Sequence, residues 1–320
     1  MRAGASLVVV EGEPLVRLWA DDLELDVAPG LSGLGVALRR GGRDRVALHR
    51  GLDGYRAGHT TGVPLLHPWA NRLPGDDVAV VDSDVTLHLA GDDRVTRDPN
   101  GLPMHGTVHG TAWNIELVET DEDGDGAWLE LVLAFDEHPD LLATFPFPHR
   151  VRVRWEVLGA GHPDGDDEPL ARCTTSVVPT TDAEVPVSFG WHPYLHLPEV
   201  PRADWRLRLP GRHHLELDER GLPTGASAPE PAEDEPLGDR TFDDAYALAD
   251  DRVLGLSAGD ASVTIMFDEG YPNAQVYAPA SDDVVALEPM TAATAALTTG
   301  AHPWAEPGSA FSATFTLTAT

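Results

Sequence analysis

Three polar side chains stand where an apolar or turn-forming context gives them no obvious reason to be. Glu288 follows the run Val284-Val285-Ala286-Leu287 and precedes Pro289-Met290-Thr291. A carboxylate just past four apolar residues is either a structural acceptor or a group whose ionisation is put to use. His105 lies in Leu102-Pro103-Met104-His105-Gly106, and His192 in Phe189-Gly190-Trp191-His192-Pro193-Tyr194. Taken singly, each has an ordinary explanation. A histidine beside glycine suits a turn or a satisfied core position, and a glutamate can pair with an arginine. One carboxylate and two imidazoles together are the parts for general acid–base catalysis. Imidazole ionises near about 6.5, so it can give and then take a proton near neutrality. A carboxyl group starts near roughly 4.3, and burial after an apolar run would raise it toward a more useful value.

The elements that must position these groups read as strands. Residues 85–89, 113–117, 128–133, 151–157, 205–209, 214–217, 262–267 and 311–317 all alternate apolar with polar side chains. Such alternation turns one face to a core and the other to water. No stretch of ten or more residues carries a helical period. The 31 glycines and 27 prolines are spread along the chain, as turn-rich antiparallel sheets require. The expected fold is all-β, with large packed antiparallel sheets rather than a small barrel. Residues 120–126 read as an acidic hairpin turn. Residues 159–169 read as a second solvated turn, because their acid spacing lacks the terminal glutamate of a calcium loop. The Pro- and acid-rich segment 226–236 is the best linker candidate. Alike strand patterns on its two sides favour a surface excursion within a single domain spanning residues 1–320.

Composition narrows the function. The chain has 53 acidic against 22 basic residues, a net charge of −31, and every basic side chain is arginine or histidine. That field repels phosphate backbones and anionic membrane surfaces, so no nucleic-acid or membrane partner is expected. With Cys173 as the single cysteine, no intrachain disulfide or cysteine-based zinc cluster can form. The N-terminal apolar run meets Glu11 too soon for a signal peptide, and no run approaches a membrane span. The expectation is a soluble cytoplasmic protein. It is also expected to be a monomer, since no long exposed apolar pattern is evident. His105 and His109 invite a metal reading, but no third ligand is obvious and no metal is expected.

The combination of motifs resembles the aldose 1-epimerase (galactose mutarotase) family over most of the chain. Pro68-Trp69-Ala70-Asn71-Arg72 resembles its PWxNR segment, Met104-His105-Gly106 its HG segment, and Trp191-His192-Pro193-Tyr194 its HPY segment. Residues 217–225 resemble the stretch leading to a P-T-G turn, and Phe242-Asp243-Asp244-Ala245-Tyr246 an aspartate motif that contacts substrate. Residues 275–279 and 287–291 resemble its closing strands, and Pro307-Gly308 its terminal turn. Any one of these is weak; in register they are specific. Leu195 and Ala70 depart from the Phe and Pro of many members, a difference that bears on cleft shape.

The resemblance implies a large antiparallel β-sandwich, the galactose mutarotase-like supersandwich, and interconversion of the α and β anomers of a free aldose without a cofactor. It assigns Glu288 as general base, His192 as general acid, and His105, Arg72, Asp243 and Asn71 to the sugar. Trp69 and Trp191 could each offer a ring to the sugar or pack in the core. Two other readings remain open: a hexose 6-phosphate 1-epimerase, and a non-catalytic carbohydrate-binding protein of the same fold. Glycoside cleavage by paired carboxylates would want a second acid in a comparable apolar context, which the sequence lacks.

Overall fold

The computed structural model describes residues 3–320. It contains a nine-stranded, an eight-stranded and a five-stranded sheet, with antiparallel pairing in each. All but one of the alternating segments of the sequence become strands of the first two; Thr86–His88 instead pairs with Asp77–Ala79 in a two-stranded sheet. Gly126–Leu133, His149–Leu158, Leu170–Pro179, Phe311–Ala319 and Ala261–Glu269 are consecutive neighbours in the nine-stranded sheet. Arg212–Leu217, Phe242–Leu248, Asn273–Ala278 and Val285–Met290 are consecutive in the eight-stranded one. Strands from Gly4–Val10 to Leu34–Arg40 build most of the five-stranded sheet, whose Val16, Leu18, Leu25 and Leu38 join the same core. Among the described residues, the α-helices Gly51–Arg56, Pro139–Thr144 and Ala296–Thr299 are short and lie between strands. No helix among the described residues is long and apolar enough to cross a membrane.

The two larger sheets are joined by aromatic side chains. Trp191, from the eight-stranded sheet, meets Trp155 and Phe315 of the nine-stranded one edge to face, with ring centroids 5.6 and 5.9 Å away. Its indole N–H donates to the Thr175 hydroxyl at 3.0 Å. Trp69 is likewise fully buried in this core. Both tryptophans therefore pack between layers, and neither presents a face to a ligand.

The 226–236 segment is not a linker. It supplies the edge strands Pro223–Glu230 of one sheet and Glu233–Pro236 of the other. Its prolines and acids are tolerated because an edge leaves one row of backbone groups unpaired in any case.

Strand parity decides which side chains can form a site. On Val285–Met290, Val285 and Leu287 point into the core between sheets, so Glu288 must project from the opposite face. The same rule applies to its neighbours. Val276 goes inward and Gln275 outward, and Gln275 pairs in register with Glu288 and with Ala245. Trp191 and Leu195 go inward, which leaves His192 and Tyr194 on the outer side. Asp243 shares the parity of Ala245. Three strands and one strand–turn–strand segment thus deliver Glu288, Gln275, Asp243, His192 and Tyr194 to one face.

Candidate active site

Two loops roof that face. Residues 67–73 are anchored by the buried Trp69 ring and pinned to residues 102–107. The His105 N–H donates to the Asn71 carbonyl at 3.0 Å, the Thr107 N–H to that of His67 at 2.9 Å, and the Leu73 N–H to that of Pro103 at 2.9 Å. Asn71 and His105 both adopt left-handed backbone, with φ of 58° and 65°. Non-glycine residues take that conformation rarely, and such strain concentrates at functional sites. Gly106, at φ 73°, packs so closely on the His67 carbonyl that a Cβ would lie 2.0 Å from its oxygen. The histidine loop can cross the Pro68 segment only with glycine at this position.

Beneath the loops, Glu288 is 1 % exposed and His192 is 5 % exposed. His192 Nε2 lies 3.2 Å from Glu288 Oε1, while Glu288 Oε2 and His192 Nδ1 have no hydrogen-bond partner among the described residues. The His192 ring is held from one side by Tyr194, stacked at 4.3 Å between centroids with a 20° interplanar angle. The Tyr194 hydroxyl sits 2.6 Å from Thr60 Oγ1 and 3.4 Å from His192 Nε2. The His105 ring meets that of His192 edge-on at 5.7 Å.

Electrostatics follow from burial. Desolvation raises the Glu288 carboxyl well above its ordinary range, and Asp243 adds to this while Arg72 opposes it. Desolvation also drives His192 well below its ordinary value, helped by His105. His105 itself is lowered to about 3 by burial and by the Arg72 charge, so it is a neutral hydrogen-bonding group at physiological pH.

A second cluster adjoins this pair. Arg72 Nε donates to Asp98 at 3.0 Å, its Nη1 to Asn71 at 3.4 Å, and its Nη2 lies 3.5 Å from Asp243. Gln275 donates to Asp243 at 2.9 Å and accepts from Asn71 at 3.2 Å, which closes a ring of polar contacts. Burial works to raise the Asp98 carboxyl, but the Leu102 N–H, Arg72 and the Asn100 N–H outweigh it and hold it below its ordinary value. Asp98 is therefore a fixed anion that orients Arg72.

The structure brings together all six residues singled out from the sequence: Glu288, His192, His105, Arg72, Asp243 and Asn71. Sequence reasoning missed Tyr194, Asp98, Gln275 and Thr60 as parts of the site. A faint signal existed for Gln275, an uncharged polar residue alternating with Ala274 and Val276. The His109 Nε2–H donates to the Tyr55 carbonyl at 2.5 Å, which leaves that nitrogen no lone pair for a metal beside His105.

Away from the site, Asp121, Asp125 and His162 converge between the two acidic turns. Their geometry fits a hydrogen-bonded clasp. His162 Nδ1 accepts the Asp164 N–H at 3.0 Å, which places the ring proton on Nε2, 3.4 Å from Asp121. A nitrogen that carries a proton toward a carboxylate offers no lone pair to a cation.

Comparison with known proteins bears on what this arrangement does. The aldose 1-epimerase family profile matches residues 38–317. The chain belongs to the aldose 1-epimerase family. No curated protein sequence matches it significantly. Among solved structures, a galactose mutarotase-like protein from Clostridium acetobutylicum superposes with a TM-score of 0.86 at 17% identity, covering 100% of this chain and 99% of that one. The galactose 1-epimerase from Lactobacillus acidophilus NCFM gives 0.76 at 14% identity over 99% of each chain. An aldose epimerase homologue from C. elegans gives 0.71 at 13% identity, again over 99% of each. At these identities the likeness is one of fold, and it matches the antiparallel supersandwich expected from the sequence.

Proposed function

We propose that this family member is an aldose 1-epimerase that interconverts the α and β anomers of a free aldose by ring opening and reclosure. The observation that carries the reading is the buried Glu288–His192 contact, in which Glu288 Oε2 has no donor among the described residues. A buried polar atom without a partner calls for an explanation, and a ligand hydroxyl supplies one. The reactive form of the singly protonated pair carries its proton on His192; from it, Glu288 takes the proton from the anomeric O1 hydroxyl while His192 Nε2 protonates the ring oxygen. The C1–O5 bond breaks to give the open aldehyde. After rotation about C1–C2, the O5 hydroxyl attacks either face of the carbonyl, returning its proton to His192 as Glu288 reprotonates O1. The pair ends with the proton count it began with.

Arg72, Asp243, Asn71 and the neutral His105 hold the other hydroxyls through directional, partly charge-assisted hydrogen bonds. A 6-phosphate substrate finds little support here, because Arg72 is already engaged by Asp98 and Asp243. A purely binding role gives no reason to bury a carboxylate against an imidazole. Exchange NMR of equilibrated glucose, galactose and glucose 6-phosphate tests the assignment. Faster α–β exchange for a free sugar supports it. Acceleration of the phosphosugar alone, or of none, overturns it.

Two variants probe how the sugar is held. Arg72→Ala is expected to raise KM about tenfold or more with a smaller effect on kcat, since uniform binding is lost. Gly221→Ala acts on the same residue indirectly. Gly221 has φ 73°, and a Cβ there would stand 3.0 Å from three atoms of the Arg72 guanidinium. Displacing that group should raise KM about threefold to tenfold. Strain at positive φ should lower stability by about 1 kcal/mol, read as a fall in Tm.

A further inference from the structure

The roof over Glu288 is anchored from behind by two further histidines. His67 begins the 67–73 loop, and His149 is the first residue of the strand His149–Leu158 in the nine-stranded sheet. Both are buried, and their Nε2 atoms lie 2.8 Å apart. We propose that this pair is a positioning element, a hydrogen bond between two neutral imidazoles that draws the roof onto the sheets and so holds Asn71, Arg72 and His105 over Glu288 and His192. The inference rests on the epimerase reading, because the groups it places are those that reading assigns to the sugar.

The contacts leave one arrangement of protons. His149 Nδ1 lies 2.6 Å from the Phe147 carbonyl, which can only accept, so that nitrogen carries the proton and His149 Nε2 offers a lone pair. His67 Nε2 must then be the donor, since two lone pairs facing each other at 2.8 Å would repel. His67 Nδ1 is left bare and has no partner among the described residues. Burial holds His149 down at about 4 and His67 well below its ordinary value, so both rings are neutral near pH 7 and a single proton occupies the bridge. Phe135 fixes the plane of the acceptor ring, stacked on His149 at 4.3 Å and 23°, and meets His67 edge-on at 5.7 Å.

Stability alone gives no reason for two imidazoles here. Replacing both partners of a buried hydrogen bond by apolar groups of similar shape is often nearly neutral. What the bridge adds is a short distance. Carbon atoms in contact settle about 3.5–4.0 Å apart, so two apolar rings would hold the loop about 1 Å farther from the sheet. His67 passes such a displacement to both roof loops. Its carbonyl accepts the N–H groups of Thr107 and Val108 at 2.9 and 3.3 Å, and Gly106 packs against the same oxygen. Four residues on stands Asn71, whose carbonyl takes the His105 N–H. A shift of about 1 Å in groups that position a substrate can cost on the order of a hundredfold.

The test compares the wild type with His149→Phe, with the double variant His67→Phe/His149→Phe, and with His149→Gln. The single Phe variant leaves the His67 N–H without an acceptor. The double variant strands neither partner, and so decides the matter if the single one does not fold. Glutamine puts an amide oxygen within reach of His67 Nε2 and restores the acceptor. Each folded variant is measured for KM and kcat with the free sugar the wild type accelerates best. Hydrogen exchange is followed at the Leu73, His105 and Thr107 amides, against those of the His149–Leu158 strand. The Phe variants should raise KM about tenfold, with a smaller change in kcat, and should exchange the roof amides about tenfold faster while the strand amides keep their protection. The Gln variant should stay within about threefold of the wild type in both. A folded Phe variant with wild-type KM or wild-type roof exchange overturns the inference and leaves the epimerase reading standing. So does a folded Gln variant as impaired as the Phe ones, and failure of both Phe variants to fold, which would make the pair structural. A wild type that accelerates no sugar overturns the epimerase reading, and the roof exchange alone then decides the bridge.

Discussion

Glu288→Gln is expected to lower kcat for anomer interconversion by on the order of a hundred- to ten-thousand-fold, with KM changed far less. The amide keeps the shape and can still meet His192 Nε2, but it cannot accept the O1 proton. The accompanying stability change distinguishes a catalytic acid from a structural one. The folded-state ionisation of Glu288 is raised well above its ordinary range, so the unfolded chain gives up this proton more readily than the native one. Native stability is then lost as the pH rises through the ordinary value toward the raised one. Gln has nothing to ionise, so its Tm at pH 8 should equal or exceed that of the wild type, with a smaller difference at pH 5. A structural glutamate would behave in the opposite way, with Gln melting lower throughout.

His192→Asn should lower kcat by a similar order, and it should also change the shape of the pH profile. Below the lower ionisation of the buried pair, both groups carry protons and Glu288 cannot accept. Above the upper one, neither group can donate. The wild-type profile of kcat/KM is therefore expected to be a bell whose limits belong to the pair, not to either residue. Without the imidazole only the carboxyl titrates. The residual rate should then rise with pH through the Glu288 ionisation and level off, with no alkaline fall. Retention of the alkaline limb in the Asn variant would show that the acid lies elsewhere. Tyr194, whose hydroxyl stands 3.4 Å from the same Nε2, would be the next candidate.

Much of this was legible in the chain because period two is a strong rule. Leu287 and Glu288 cannot both face the core of one sheet, so a buried Glu288 had to belong to the opposite face. Trp191 beside His192 carried the same information. What strand alternation does not encode is how residues far apart in sequence meet. Asp98 sits in Asp-Pro-Asn-Gly, a segment that reads as an ordinary turn, and its hold on Arg72 exists only once two loops are folded together. Gln275 becomes part of the site through its register with Glu288, which depends on strand pairing across the sheet. The 226–236 segment misled for a related reason. Prolines and acids mark a linker and also suit a sheet edge, and composition does not separate the two.

The most direct test of the central claim follows the optical rotation of freshly dissolved α-D-glucose and α-D-galactose. Wild type and Glu288→Gln are compared at matched concentrations of folded protein near neutral pH. The account predicts faster equilibration of at least one sugar by the wild type, and at most about a hundredth of that acceleration by the variant. Equal acceleration by both proteins would contradict the assignment of Glu288 as the base.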